Sequence, residues 1–162
     1  MDDLITLKAA GQAVKMKPAT LREWISRGVI SGAAEIKSYG RAGGRKGYYP
    51  ATIIPEIQTA IAMQEDGLKR ETIARARTLA LELMADPTKE ADPKAIAETG
   101  PAARQWLDIY AGITEAPAAQ KALERLERDI SHLLTLVIRG MRYHMIDIID
   151  RLPDVMDGTE KE

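Results

Sequence analysis

The sequence predicts a mainly α fold: an N-terminal winged helix-turn-helix with a small β-hairpin, followed by a C-terminal helical oligomerisation region. Three observations lead to this prediction. Two short helix-forming segments flank the tripeptide "KMK" at 15–17, a glycine-rich stretch at 40–47 ends beside two tyrosines, and the second half carries a long apolar repeat of helical period. With 162 residues, of which 45% are hydrophobic, the chain can form one or two small domains.

The first two helices have start and stop signals in the sequence. Thr6 is placed to cap a helix over 7–14, and Pro18 fits the first turn of a second helix because its missing N–H costs nothing there. The second helix should run to about Arg27, and Gly28 suits its C-terminal end. Two short helices joined by a tight break are typical of a helix-turn-helix.

A β-hairpin is expected between Ala33 and Tyr49. Its glycines allow the chain to turn, and the two tyrosines at its end can return the chain as a strand. The tip of this hairpin carries Arg41, Arg45 and Lys46, so it would present positive charge to solvent.

Two helices and a linker should follow. The helices are predicted over about 52–65 and 69–84. The segment 85–93 contains two prolines, three acidic residues and no large apolar residue, which is typical of a linker. We therefore predict one domain over 1–84 and a second over 94–162.

The second domain is predicted to contain a short helix over 101–110 and a long helix over about 117–152. Apolar residues of the long helix recur with a mean spacing of about 3.6, rather than the 3.5 of a left-handed coiled coil. The segment "LLTLVI" at 133–138 is apolar nearly all round, so a bundle or an intertwined dimer would bury it. The predicted oligomerisation residues are Leu126, Ile130, Leu133, Leu134, Val137, Met141, Met145 and Ile148.

Positive charge is concentrated near the N-terminus, although the whole chain has a net charge of −1. Residues 8–46 contain nine Lys or Arg and only two acidic residues, which favours an anionic partner for this lobe. A helix fits the major groove of duplex DNA, and a hairpin can reach the adjacent groove or backbone. The cations placed to contact phosphates are Lys15, Lys17, Arg22, Arg27, Arg41, Arg45 and Lys46, and Trp24 should share their open face.

Other functional classes have no signature in this chain. Cysteine is absent, and His132 and His144 lie on different faces of the long helix, so we expect no metal and no cofactor. No constellation of side chains indicates catalysis, and we expect that the protein is not an enzyme. We recognise no signal peptide and no membrane span, and therefore expect a cytoplasmic location.

Three stretches follow the pattern of a known family: "ITLKAAGQAVKMKPATLREWISRGVI", "GGRKGYYP" and "IQTAIAMQEDGLKRETIARA". The matching residues are Thr20, Leu21, Arg22, Trp24, Arg27 and Gly28 in the second helix, Arg45 and Tyr49 in the hairpin, and Gly67 and Leu68 in a later turn. The first half thus resembles the MerR-type winged-helix regulators, which implies a DNA-binding regulator of transcription. The candidate DNA contacts are then Lys15, Lys17, Thr20, Arg22, Trp24, Arg27, Lys37, Arg41, Arg45, Lys46 and Tyr49.

The chain departs from this family pattern at several positions. Lys15 and Lys17 stand where the family has a turn glycine and a capping serine, and Pro50 follows Tyr49 in place of the usual capping residue. The metal- and redox-sensing members rely on cysteines, so such a switch is not expected here. The second half resembles no effector domain, and any small-molecule effector is therefore unassigned.

Two alternatives to a regulator stay open. Phage small terminase subunits carry a similar winged helix followed by assembly helices, and the chain length suits this DNA-packaging role. A helical interaction protein with an incidental basic lobe would not bind DNA at all. The first interpretation is a sequence-specific regulator whose partners are double-stranded DNA and a second copy of the chain.

Overall fold

The fold is mainly helical with a small antiparallel sheet, as the sequence predicts. The structure is a computed structural model and describes residues 3–86, 88–114 and 117–151. Residues 152–162 of the predicted second domain lie outside the described part. In chain order the elements are β1 (Leu4–Thr6), α1 (Leu7–Val14), α2 (Pro18–Ser26), β2 (Glu35–Ser38), α3 (Gly40–Gly43), β3 (Arg45–Pro50), α4 (Ile53–Glu65), α5 (Arg70–Ala85), α6 (Pro93–Thr114) and α7 (Pro117–Arg151).

Local capping chemistry sets the ends of α1 and α2. The hydroxyl of Thr6 accepts a hydrogen bond from the backbone N–H of Ala9 at 3.2 Å, as predicted for the start of α1. At the end of α2, the N–H of Val29 bonds to the carbonyl of Trp24, and Gly28 adopts a φ of 74°. This is a Schellman motif, in which glycine takes the left-handed conformation at low cost.

The turn between α1 and α2 is tight at its base. A Cβ at Gly11 would lie 2.6 Å from the backbone oxygen of Met16, so a side chain at position 11 would force the two segments apart. Lys15 occupies the left-handed region with a φ of 57°. It is the position at which the MerR-type pattern has glycine, and a lysine in this conformation costs backbone strain that glycine would avoid.

The sheet has three strands in the order β1-β3-β2, and both pairings are antiparallel. The predicted hairpin corresponds to β2 and β3, with the helical turn α3 at its tip. Strand β1 was not predicted, because three residues are too few for alternation to be visible in the sequence. It pairs with β3, placing Ile5 opposite Tyr49, and thereby anchors the hairpin to the start of α1.

Helix α6 differs most from its prediction. The sequence indicated a helix over 101–110, because proline normally stands at a helix start, but Pro101 lies inside a helix that begins at Pro93. The reason is tertiary packing. The buried residues Ile96 and Thr99 continue, at helical spacing, the face on which Trp106 is buried, so packing outweighs the missing hydrogen bond.

The apolar core crosses the predicted linker. Buried side chains from Leu7 to Leu126 form one cluster, and α5 packs extensively on α6. Helices α6 and α7 run antiparallel, since Gly100 lies against Ile130 and Arg104 pairs with Glu127 at 2.9 Å. Within the described part of the chain, no helix covers α7 after about residue 133, and residues 134–151 extend over about 27 Å.

Candidate nucleic-acid interface

A cationic cleft of about 250 Å³ lies where α1, α2 and β3 meet. Its walls include Arg22 from the exposed side of α2, Arg45 and Lys46 from β3, and Lys8 from the first turn of α1. The structure thus brings three of the predicted cations together with a fourth, Lys8. An arrangement of this kind can bind a phosphate group by charge and by several hydrogen-bond donors at once.

These four cations have no acidic partners within the structure. None of them forms an ion pair with a carboxylate of residues 3–86, 88–114 or 117–151. Four unneutralised positive charges around one cleft repel each other and favour an anionic ligand.

Arg22 stands in the middle of a narrow exposed row on α2. The row consists of Ala19, Arg22 and Ser26, whereas Leu21 and Trp24 of the same helix are buried in the core. The residues on either side of Arg22 are small. A helix with such a face can approach a groove closely, while the long arginine reaches the base edges or the phosphates.

The β2–β3 hairpin carries a second cationic surface. Lys37 and Lys46 are cross-strand partners, and their amino groups lie 5.1 and 5.8 Å from the ring centroid of Tyr48. The hydroxyl of Tyr48 is 2.7 Å from that of Tyr39, and this hydrogen bond is the main reason why the pKa of Tyr39 is raised. Lys37 also contacts Glu35 at 3.7 Å, so its charge is partly compensated.

Other predicted contact residues lie around this surface without joining the cleft. Lys15 and Lys17 are exposed in the turn before α2, Arg41 is exposed in α3, and Thr20 is half-buried on α2. Lys15 and Lys17 thus add positive charge just before the N-terminus of α2, and Arg41 adds it at the hairpin tip.

Three of the predicted contact residues have surroundings that the sequence did not reveal. Trp24 is 2% exposed and belongs to the core, so the expectation that it lies on the open face is wrong. Tyr49 is 9% exposed; it lines the cleft but mainly packs in the core. Arg27 is exposed, but it is shared between Glu23 at 3.1 Å and Glu71 at 3.8 Å, so much of its charge is neutralised.

Lys8 is the cleft residue that sequence reasoning missed. The available signal was its position two residues after the cap Thr6, which places it in the first turn of α1. That this turn faces the hairpin depends on β1 pairing with β3, which the sequence did not predict.

The predicted oligomerisation residues fall into two groups. Leu126 is fully buried, and Ile130 and Leu133 pack on the same core, so these three stabilise the chain itself. Assigning Leu126 to an interface between copies is therefore wrong. The side chain of Ile148 lies outside the described part, and the remaining predicted residues are exposed on the projecting end of α7: Leu134, Val137, Met141 and Met145.

In the described part of the chain, no three metal-ligating side chains come close enough to hold an ion. Among the helices that the structure describes, none combines the length and the hydropathy needed to span a bilayer.

Comparison with known proteins adds little to this description. The chain matches no protein-family model, and no curated protein sequence is significantly similar to it. A solved structure from Listeria monocytogenes, provisionally assigned to the MerR family of transcriptional regulators, aligns with 91% of this chain and 98% of its own, at a TM-score of 0.40 and 20% identity. A TM-score this low does not establish a shared fold, so the function proposed below rests on the geometry of this chain.

Proposed function

We propose that this protein binds double-stranded DNA in a sequence-specific manner and acts as a homodimeric regulator of transcription, without catalytic activity. The observation that carries the proposal is the cleft where α1, α2 and β3 meet, which is lined by four cations that form no ion pair with a carboxylate in the described part of the chain: Lys8, Arg22, Arg45 and Lys46. In this assignment α2 enters the major groove and the β2–β3 hairpin acts as a wing on the neighbouring backbone.

Different cations would then have different roles. Arg22 lies on the exposed row of the helix that enters the groove, so it would contribute to sequence preference as well as to affinity. Arg45 and Lys46 lie on the wing and would contact phosphates, which adds affinity for every sequence about equally.

The projecting end of α7 supports the dimer. At 100° per residue, six of its exposed apolar side chains fall within an arc of about 120°. They are Leu134, Val137, Ile138, Met141, Met145 and Ile149. This stripe is wide enough to pair with the same stripe on a second copy, and a two-fold arrangement would present two DNA-binding lobes to a palindromic site.

One observation keeps the DNA-packaging role of a small terminase subunit as a second candidate. Leu136, Tyr143 and Ile146 are also exposed on α7, and they lie outside the apolar arc. A helix with apolar residues on more than one side can contact more than one neighbour, as subunits in a ring do.

Fluorescence anisotropy tests DNA binding, with a labelled mixed-sequence duplex of about three helical turns, followed by selection from a randomised duplex library. We expect an affinity that falls steeply between about 50 and 200 mM salt and a selected sequence that is palindromic. No binding at the lower salt concentration would favour a helical interaction protein. Light scattering separates the other two candidates: a dimer supports the regulator, and a large ring supports the packaging role.

A further inference from the structure

A buried polar cluster connects the end of α2 to three other helices. At its centre is Glu56 of α4, which is 4% exposed. Its Oε2 accepts a hydrogen bond from the backbone N–H of Ser31 at 2.8 Å. Its Oε1 accepts from the Ser31 hydroxyl at 2.7 Å and from the Tyr110 hydroxyl at 2.9 Å.

Arg77 of α5 completes this cluster, which we call the polar junction and define as Ser31, Glu56, Arg77 and Tyr110. Its Nε donates to the Tyr110 hydroxyl at 3.0 Å, and its Nη2 donates to the Ser31 hydroxyl at 2.7 Å. Its Nη1 donates to the carbonyl of Gly28 at 3.3 Å. Glu56 and Arg77 compensate each other's charge, with Nη2 and Oε1 at 3.9 Å.

The polar junction holds the segment that directly follows α2. Gly28 and Ser31 are two and five residues beyond the end of that helix at Ser26. A second contact joins α5 to α2 at the surface, where Arg70 of α5 lies 3.0 Å from Glu23 of α2. The position of α2 is therefore fixed through α5, and through Tyr110 it is fixed to α6, which packs against α7.

We propose that Arg77 and Tyr110 are positioning residues for α2, and that they couple DNA affinity to the packing of α6 and α7. The proposal rests on the DNA-binding function proposed above. Neither residue lines the cationic cleft, so each acts through the Gly28–Ser31 segment and not by touching DNA.

The physical basis is the cost of leaving a buried charge with too few hydrogen bonds. If Tyr110 moves away with α6, Glu56 and Arg77 each lose a partner in a region that water reaches poorly. The remaining groups must then rearrange, and the only member attached to α2 is the Ser31 segment. A movement of α6 would thus be transmitted to α2 through the hydrogen bonds of the polar junction.

The test compares two conservative variants of α6. Tyr110→Phe keeps the ring and removes the hydroxyl that links α6 to Glu56 and Arg77. Thr99→Val is the matched control: Thr99 is a buried residue of the same helix, and its hydroxyl donates a hydrogen bond to the Ala95 carbonyl within α6. Backbone hydrogen exchange and DNA anisotropy are measured for both variants of the full chain.

In Tyr110→Phe we expect faster exchange of the Ser31 N–H and DNA affinity that is lower by about fivefold or more. We expect Thr99→Val to change neither quantity. Unchanged exchange at Ser31 in Tyr110→Phe overturns the proposal, and so do equal losses of affinity in both variants. If the parent protein binds no duplex, the proposed function fails, and the exchange result alone then decides whether Tyr110 positions the end of α2.

Discussion

Lys37 and Lys46 lie directly opposite each other on neighbouring strands of the β2–β3 hairpin. Like charges in this position destabilise a sheet, and only part of the repulsion is relieved by Glu35 and by the ring of Tyr48. A surface that retains such a pair is less stable than it could be. An anionic partner, such as the proposed DNA, would neutralise both lysines and relieve this repulsion.

Replacing Lys46 by threonine should separate stability from binding. In Lys46→Thr the free energy of unfolding should rise by a few tenths of a kcal/mol, because repulsion is removed and threonine suits a strand. DNA affinity should fall, with a smaller dependence on salt. Denaturant titration and anisotropy measure the two effects, and Lys121→Ala on the exposed side of α7 controls for net charge. Higher stability with unchanged DNA affinity would argue against the wing assignment.

The two arginines of the α2 region should differ in their effect on binding. Arg22→Ala should weaken DNA binding by about tenfold and reduce the log–log salt slope by about 1. Arg27→Ala should cost about twofold or less, because Glu23 and Glu71 already neutralise much of its charge. Anisotropy at several salt concentrations compares the two directly. A larger loss for Arg27→Ala would place the interface at the opposite end of α2.

The apolar stripe of α7 should govern assembly. Met145→Glu puts a charge inside the stripe, whereas Tyr143→Glu puts the same charge about 160° away around the helix. Light scattering should show dissociation of the dimer for Met145→Glu only, because a buried charge without a partner is costly. A monomeric parent protein, or two variants that behave alike, would contradict the assignment of this stripe.

Alkaline pH should destabilise the protein through Tyr110. Burial raises the pKa of this tyrosine above its ordinary value, with the nearby Glu56 as the second cause. Below about pH 10 the hydroxyl is protonated in both the folded and unfolded states; above it the unfolded chain loses the proton first, so stability falls as pH rises. Between about pH 10 and 11 the parent should lose about 1 kcal/mol more than Tyr110→Phe. Equal losses in urea titrations would show that Tyr110 does not titrate in this way.

Lys15→Gly should stabilise the protein and weaken DNA binding. Glycine takes a φ near 57° without strain, and we expect a gain of about 0.5–1 kcal/mol after its greater freedom in the unfolded chain is included. Lys15→Ala is the control, since it removes the charge but keeps the Cβ. Thermal unfolding should show the gain for glycine alone, while both variants lose affinity for duplex DNA. A similar gain with alanine would mean that the charge, and not the backbone, causes the strain.

Local signals predicted the helices α1, α2, α4 and α5 to within about one residue. They missed β1 and the helical turn α3, and they placed Arg45 and Lys46 at the hairpin tip, whereas both belong to the paired strand β3. They succeed because a cap such as Thr6 or a left-handed glycine such as Gly28 acts on its own segment. Packing across the chain was not predictable in the same way. The buried position of Trp24 and the continuation of α6 through Pro101 both depend on which faces meet in the core.

The sequence predicted which charged residues belong to the candidate site, but not how they are arranged in space. Arg22, Arg45 and Lys46 were found because they are basic and flank two adjacent elements. The pairing of Arg27 with Glu71, 44 residues away, leaves no pattern in the sequence. The same holds for the polar junction, in which Glu56 and Tyr110 are 54 residues apart.

During translation, the residues of the polar junction are synthesised at different times. Ser31, Glu56 and Arg77 leave the ribosome before Tyr110, which follows Arg77 by 33 residues. At bacterial to eukaryotic elongation rates this delay lasts about 2 to 7 s. During that interval the apolar face of α5 has no α6 to cover it, and Glu56 lacks one of its donors. The nascent chain therefore exposes the apolar face of α5 until α6 has been synthesised, which is the stage at which a chaperone would have most effect on yield.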